Sequence, residues 1–202
     1  MNVFPEQPSL IKLDACLGSR DAAAITILLE ALHLPYTLSL FTPHPFPPVH
    51  HAYFTDILPD GSRVDLNDVL EIASYLIDRY EQERRLVSYK PGTEEDFEVW
   101  RWVRLWSEEP LPAAPADQAD VVRRMLHRYL LLEQRLQNQR SGGYLVGKKC
   151  TMADILYFPA IAAAESLGLD LEMFPELTAW FNRLWGLGAV RRGMEAVRLA
   201  IS

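Results

Sequence analysis

The sequence lacks the features that would tie it to a membrane, an oxidising compartment or a nucleic acid. Only two of its 202 residues are cysteine, Cys16 and Cys150, far apart and in no CxxC pair, so there is no disulfide framework and a reducing cytoplasm is the expected setting. No apolar run approaches the roughly 18–20 residues that span a bilayer. The opening Met1-Asn2-Val3-Phe4-Pro5-Glu6 has neither the basic nor the apolar segment of an export signal, so no membrane partner is expected. Positive charge is in deficit, with 20 Lys and Arg against 27 Asp and Glu, a formal net charge of −7 and a pI near 5.2. Such a field repels phosphate and argues against nucleic acid as a partner. Internal repeats and low-complexity tracts are absent as well.

What is present is a packable chain, 49% hydrophobic and 23% charged, long enough for two modest domains. Ser9-Leu10-Ile11-Lys12-Leu13-Asp14-Ala15 alternates as a strand does, and Gly18-Ser19 then breaks it. From Arg20 the period changes: Ala22, Ile25, Leu28, Leu29 and Leu32 share one helical face behind Ser19 as N-cap, and the helix ends near His33, before Pro35. Tyr36 to Phe41 reads as a second strand, parallel to the first. Prolines 43, 45, 47 and 48 then impose a loop. His50 to Leu58, the turn Pro59-Asp60-Gly61-Ser62, and Arg63 to Leu66 form a hairpin, and Asn67 or Asp68 caps a helix that runs to Tyr80.

The polar stretch 81–93 with Pro91-Gly92 is the best linker, which divides the chain into 1–80 and 94–202. Beyond it every segment reads as helix. Val99, Trp102, Val103 and Trp106 repeat at helical spacing up to Pro110, and Val122, Met125, Leu126, Tyr129 and Leu136 do so up to Ser141-Gly142-Gly143, as antiparallel neighbours. Thr151-Met152-Ala153-Asp154 is a capping box opening an apolar helix to about Leu167-Gly168. Pro175 starts another through Trp185-Gly186, and a last one spans about Ala189 to Leu199.

The order Gly143-Tyr144-Leu145-Val146-Gly147, then the capping box, then Phe174-Pro175-Glu176-Leu177-Thr178-Ala179-Trp180-Phe181 resembles the C-terminal domain of the glutathione transferase superfamily. The β-α-β then β-β-α order of the first 80 residues, and Leu28 to Tyr36 in particular, is similar to that family's thioredoxin-like domain. The resemblance covers nearly the whole chain. It implies an α/β thioredoxin-like domain followed by an all-α bundle, glutathione as cofactor, and a homodimer.

The resemblance also implies a chemistry. Glutathione would be activated as a thiolate, which needs a hydrogen-bond donor and a positive helix end near its sulfur. Counting back from Leu34-Pro35-Tyr36, Ser19 falls at the sulfur-contacting position of serine-type and cysteine-type members, though the same hydroxyl is the helix cap. Cys16 reads better as packing.

Asp68 matches the acidic residue that holds the γ-glutamyl group, and Val69 replaces the usual Ser or Thr, leaving only its backbone N–H for a carboxylate. The family's Val-Pro pair before the hairpin is missing, so a backbone contact to the cysteinyl moiety falls to Ala52 or Tyr53. His44, His50 and His51 have no acidic partners in a ligand spacing, and no metal is expected. Trp100, Arg101 and Arg104, off the core face of their helix, are candidates for the electrophile cleft or a subunit interface. The implied activity is conjugation or glutathione-assisted cis–trans isomerisation of a small electrophile, such as a secondary metabolite. A non-catalytic interaction module and a glutathione-independent enzyme on the same scaffold are the alternatives.

Overall fold

Alternation sets the sheet. In the computed structural model, which describes residues 10–42, 52–108, 118–138, 142–163 and 170–199, β1 (Leu10–Cys16) buries Ile11, Leu13 and Ala15 and exposes Leu10, Lys12 and Asp14. It is central in a four-stranded sheet of order β2-β1-β3-β4. β2 (Tyr36–Phe41) runs parallel to β1, while β3 (Ala52–Ile57) is antiparallel to both β1 and β4 (Arg63–Leu66). Helices α1 (Arg20–Ala31) and α2 (Val69–Tyr80) complete the α/β part. His50 and His51, expected to start the hairpin, lie outside the described residues, as do His44 and the four loop prolines.

α1 ends in a Schellman turn. Leu34 N–H bonds Leu29 O at 3.0 Å and His33 N–H bonds Glu30 O at 3.2 Å, with His33 left-handed at φ 56° where glycine is the cheaper residue. Pro35 follows.

The all-α part consists of α3 (Glu94–Glu108), α4 (Gln118–Gln137), α5 (Met152–Ala162), a 3₁₀ turn (Leu171–Met173), α6 (Pro175–Trp185) and α7 (Gly188–Ala196). All eleven residues of α5 are buried, which explains why its sequence shows little amphipathic pattern. Three ends differ from expectation. α4 stops at Gln137, short of Ser141. α5 ends at Ala162, and the residues expected to extend it, 164–168, lie outside the described set. α7 ends at Ala196 because Leu199 N–H reaches Met194 O at 3.1 Å and Arg198 N–H reaches Glu195 O at 3.0 Å, a second Schellman turn with Arg198 left-handed at φ 56°. Glu98 of α3 pairs with Arg135 near the end of α4, as antiparallel neighbours require.

The starts of α5 and α6 draw on acceptors that also tie them to distant segments. Asp154 Oδ2 accepts both the N–H and the O–H of Thr151 at 2.9 Å, and Oδ1 accepts Leu145 N–H at 2.9 Å and Trp180 Nε1–H at 2.8 Å. α6 begins on Pro175 behind Phe174, which has no side-chain oxygen, so the buried Glu133 of α4 accepts Leu177 N–H at 2.8 Å and Glu176 N–H at 3.3 Å instead.

The segment after α2 is equally tied. The buried Glu81 carboxylate accepts the N–H groups of Leu86, Val87 (2.9 Å) and Ser88 (3.4 Å) and the Ser88 hydroxyl (2.8 Å). From the loop before α5, Lys149 Nζ donates to the carbonyls of Arg84 (3.2 Å) and Ser88, and Met152 N–H bonds Val87 O at 2.9 Å. Burial pushes the Lys149 pKa down, with the Glu81 charge opposing. Glu81→Ala leaves buried N–H groups without an acceptor and should cost about 2 kcal/mol. The amides of Leu86–Ser88 should lose most of their hydrogen-exchange protection. Unchanged exchange there would remove Glu81 as the organiser of this segment.

Candidate functional site

The register gathers the sequence-derived candidates at one end of the sheet. β1 runs out at Cys16 and delivers Leu17-Gly18-Ser19 to the start of α1. Antiparallel pairing sets Ala52 opposite Ala15 and Tyr53 opposite Asp14, so β3 begins at that same end. β4 returns to it, with Leu66 opposite Phe54, and hands over through Asn67 to Asp68 at the start of α2. Ser19, Ala52, Tyr53, Asp68 and Val69 therefore share one edge, and β3 extends two residues beyond β4 there.

Each candidate has a local job as well. Ser19, half-buried, accepts Ala22 N–H at 3.3 Å as the N-cap of α1, which leaves its O–H free to donate elsewhere. Asp68 is exposed, and its Oδ1 accepts Leu70 N–H at 2.9 Å and Glu71 N–H at 3.0 Å. Capping engages one carboxylate oxygen, and the other accepts no hydrogen bond among the described residues. Val69 is buried, Ala52 is buried, and Tyr53 is 43% exposed with its ring 6.4 Å from that of Phe41. Cys16 is buried and burial pushes its thiol pKa up, the opposite of what a nucleophile needs.

Trp100, Arg101 and Arg104 stand apart. Val99, Trp102 and Val103 are the buried face of α3, with Trp102 edge-on to Tyr157 at 5.9 Å. Trp100 is 42% exposed, Arg104 is engaged with Glu108 at 2.7 Å, and Arg101 lines an open cleft of about 460 Å³ with Glu94, Phe97 and Glu98, all on α3. No hydrogen bond or ion pair among the described residues links these three to the sheet end. Among the described residues no group of three or more His, Cys, Asp or Glu is placed to hold a metal, and no helix is long and apolar enough to cross a membrane.

No local pattern announces what packs against this end. α7 lies along α1: the buried Thr26 hydroxyl donates to Gly193 O at 2.8 Å, and Arg192 pairs with Glu30 at 2.6 Å. Gly18 N–H donates to Val197 O at 2.9 Å, so the last helix is bonded to the residue just before Ser19. Only a glycine at 193 permits this approach, and that spacing rule between distant helices has no local signature.

A four-stranded sheet joined through a short segment to a bundle with a fully buried central helix defines a thioredoxin-like domain followed by an all-helical one. Residues 95–187 match the family model described as "Glutathione S-transferase, C-terminal domain". The chain is similar to that domain over those residues, and its fold as a whole is that of the solved structures described next. The glutathione S-transferase-like protein gedE of Aspergillus terreus is 24% identical over 214 residues, covering 89% of this chain and 92% of that protein. A glutathione transferase homolog from Lodderomyces elongisporus, solved with two GSH per subunit, superposes with a TM-score of 0.76 at 23% identity over 94% of this chain and 98% of that one. Maleylacetoacetate isomerase from Anaeromyxobacter dehalogenans, solved with GSH bound in its active site, gives 0.77 at 17% identity over 93% of this chain and 95% of that one.

Proposed function

We propose that the chain is a glutathione-dependent enzyme that conjugates a small electrophilic molecule, or isomerises one by reversible thiolate addition. The observation that carries this reading is the convergence of Ser19, Ala52, Tyr53 and Asp68 at one sheet end, set by the register of β1, β3 and β4. The glutathione bound in the structurally similar proteins supports it.

In this reading the Ser19 O–H donates to the glutathione sulfur, and the start of α1 adds positive potential, so the thiol loses its proton more readily. Ala52 or Tyr53 offers backbone groups to the cysteinyl unit. The oxygen of Asp68 not used in capping takes the γ-glutamyl ammonium, while Val69 N–H is left for its carboxylate. The thiolate then forms a carbon–sulfur bond to the electrophile. In conjugation that bond stays, with loss of a leaving group or protonation of the adduct. In isomerisation of a conjugated alkene, rotation about the former double bond precedes rupture of the same carbon–sulfur bond, and glutathione is regenerated. Trp100, Arg101 and Arg104 remain proposals for a subunit interface in a homodimer rather than for the reacting edge. A cytoplasmic protein divided at 81–93 and acting in secondary metabolism completes the reading.

Asp68 sharing its carboxylate with its own cap, and Val69 without a hydroxyl, are what a scaffold that dispenses with glutathione also displays. Calorimetry separates the two readings: millimolar or tighter glutathione binding is expected, and no heat at millimolar glutathione overturns the proposal. Ser19→Asp sharpens it, because aspartate caps α1 as well as serine but cannot donate to a thiolate. Turnover should fall roughly 10- to 1000-fold, by analogy with loss of one donor to a reacting anion, with little change in melting temperature.

A further inference from the structure

We infer that the electrophile carries a carboxylate, and that Arg20 and Arg198, one from each domain, hold it beside Ser19. The inference rests on the glutathione reading for the place of the reaction, and deepens it by naming the substrate's charge.

Arg20 is the first residue of α1 and follows Ser19 directly. It is half-buried, and burial pushes its guanidinium pKa down, with only the neighbouring Asp21 opposing. Among the described residues it has no hydrogen-bond or ion-pair partner. In contrast, Arg63, Arg84, Arg85, Arg104, Arg135 and Arg192 are each engaged by a carboxylate. A partly desolvated cation without a partner is unfavourable unless something else supplies the negative charge.

The second cation comes from the far end of the chain. Val197 O accepts Gly18 N–H at 2.9 Å, which sets the backbone of Arg198 against the loop that precedes Ser19. Arg198 is exposed, unpaired among the described residues, and left-handed at φ 56° in a Schellman position where glycine avoids the strain. The chain as a whole is acidic, with a net charge of −7, so two arginines uncommitted among the described residues, with backbones at the loop and helix start around Ser19, run against its overall charge. Guanidinium groups suit a carboxylate because their planar N–H fork matches its two oxygens. The carboxylates of glutathione itself offer the same chemistry, and the test separates the two sources.

The experiment uses 4-chloro-3,5-dinitrobenzoate and its methyl ester as acidic and neutral electrophiles, with unreactive 3,5-dinitrobenzoate as a binding probe. Wild type should show a lower KM for the acid than for the ester, and calorimetry should detect the probe. Arg20→Met should weaken probe binding about tenfold or more and raise the ratio of the acid KM to the ester KM. Arg198→Gly should also weaken the probe while raising the melting temperature, because it removes both a charge and a strained backbone; a merely structural arginine would not move the two in opposite directions.

Equal KM values in wild type, or probe binding unchanged in both variants, overturns the inference even if glutathione turnover is intact. If both variants weaken glutathione but not the probe, the arginines serve glutathione and the inference is wrong. If glutathione neither binds nor reacts, the functional reading fails, and probe binding still decides the arginine site.

Discussion

Asp154→Ala is expected to cost about 3–5 kcal/mol, a large fraction of the roughly 5–15 kcal/mol that holds a domain together. The carboxylate is fully buried and each oxygen accepts twice: Oδ2 from the N–H and O–H of Thr151, Oδ1 from Leu145 N–H and Trp180 Nε1–H. Burial raises its pKa and these donors oppose that shift, so the group costs little only while all of them are in place. Alanine strands the donors in the interior at about 1–3 kcal/mol for each that finds no water. It also frees both the turn before α5 and the indole that anchors α6. Asp154→Asn should cost less, since its one carbonyl oxygen still serves one pair while its NH₂ faces the other. Urea denaturation of the three proteins reads the order directly, and a loss under about 1 kcal/mol for the alanine variant would show that Asp154 is not the keystone of the bundle.

The second large effect is at Gly193, where two tendencies oppose each other. In a helix interior, alanine is favoured over glycine by about 1 kcal/mol. A Cβ at 193, however, would sit 2.5 Å from Ile27 N and 2.6 Å from Ile27 Cα, backbone atoms that cannot swing away. α1 and α7 would have to part by about 1 Å of van der Waals distance, stretching the Thr26–Gly193 bond and the Gly18–Val197 bond that borders Ser19. Overpacking of this kind costs about 1–3 kcal/mol or more and outweighs the propensity gain. Gly193→Ala should therefore lower the melting temperature and weaken glutathione binding together. A variant as stable as wild type or more so would mean that the seam is compliant and that α7 does not set the position of the α1 start.

These two residues mark where the sequence is readable. Asp154 stands three residues after Thr151, and its capping role follows from that spacing, but its bonds to Leu145 and Trp180 depend on how distant segments dock. Likewise Pro175 announces the start of α6, whereas the acceptor for that start is Glu133 on another helix. The strands were legible because alternation has a period of two, and α1 because Ala22, Ile25, Leu28 and Leu29 have a period near 3.6. The end of α7 was not, because a Schellman turn on Arg198 lacks its glycine. At the site, Ser19 and Asp68 were legible as helix starts. Arg20 carries no such local mark, since nothing in its neighbourhood of the sequence shows that it lacks an acid to pair with, and the Arg198 backbone reaches the same loop only through packing of the chain's two ends.

The proposed chemistry depends on Ser19 stabilising a glutathione thiolate. It is tested most directly by titrating the ultraviolet thiolate absorbance of glutathione bound to wild type and to Ser19→Asp. A bound-thiol pKa well below the ordinary thiol value of about 8.5 is expected in wild type, and one at or above it in the aspartate variant. An unshifted pKa in wild type, or the same lowered pKa in both proteins, would contradict it.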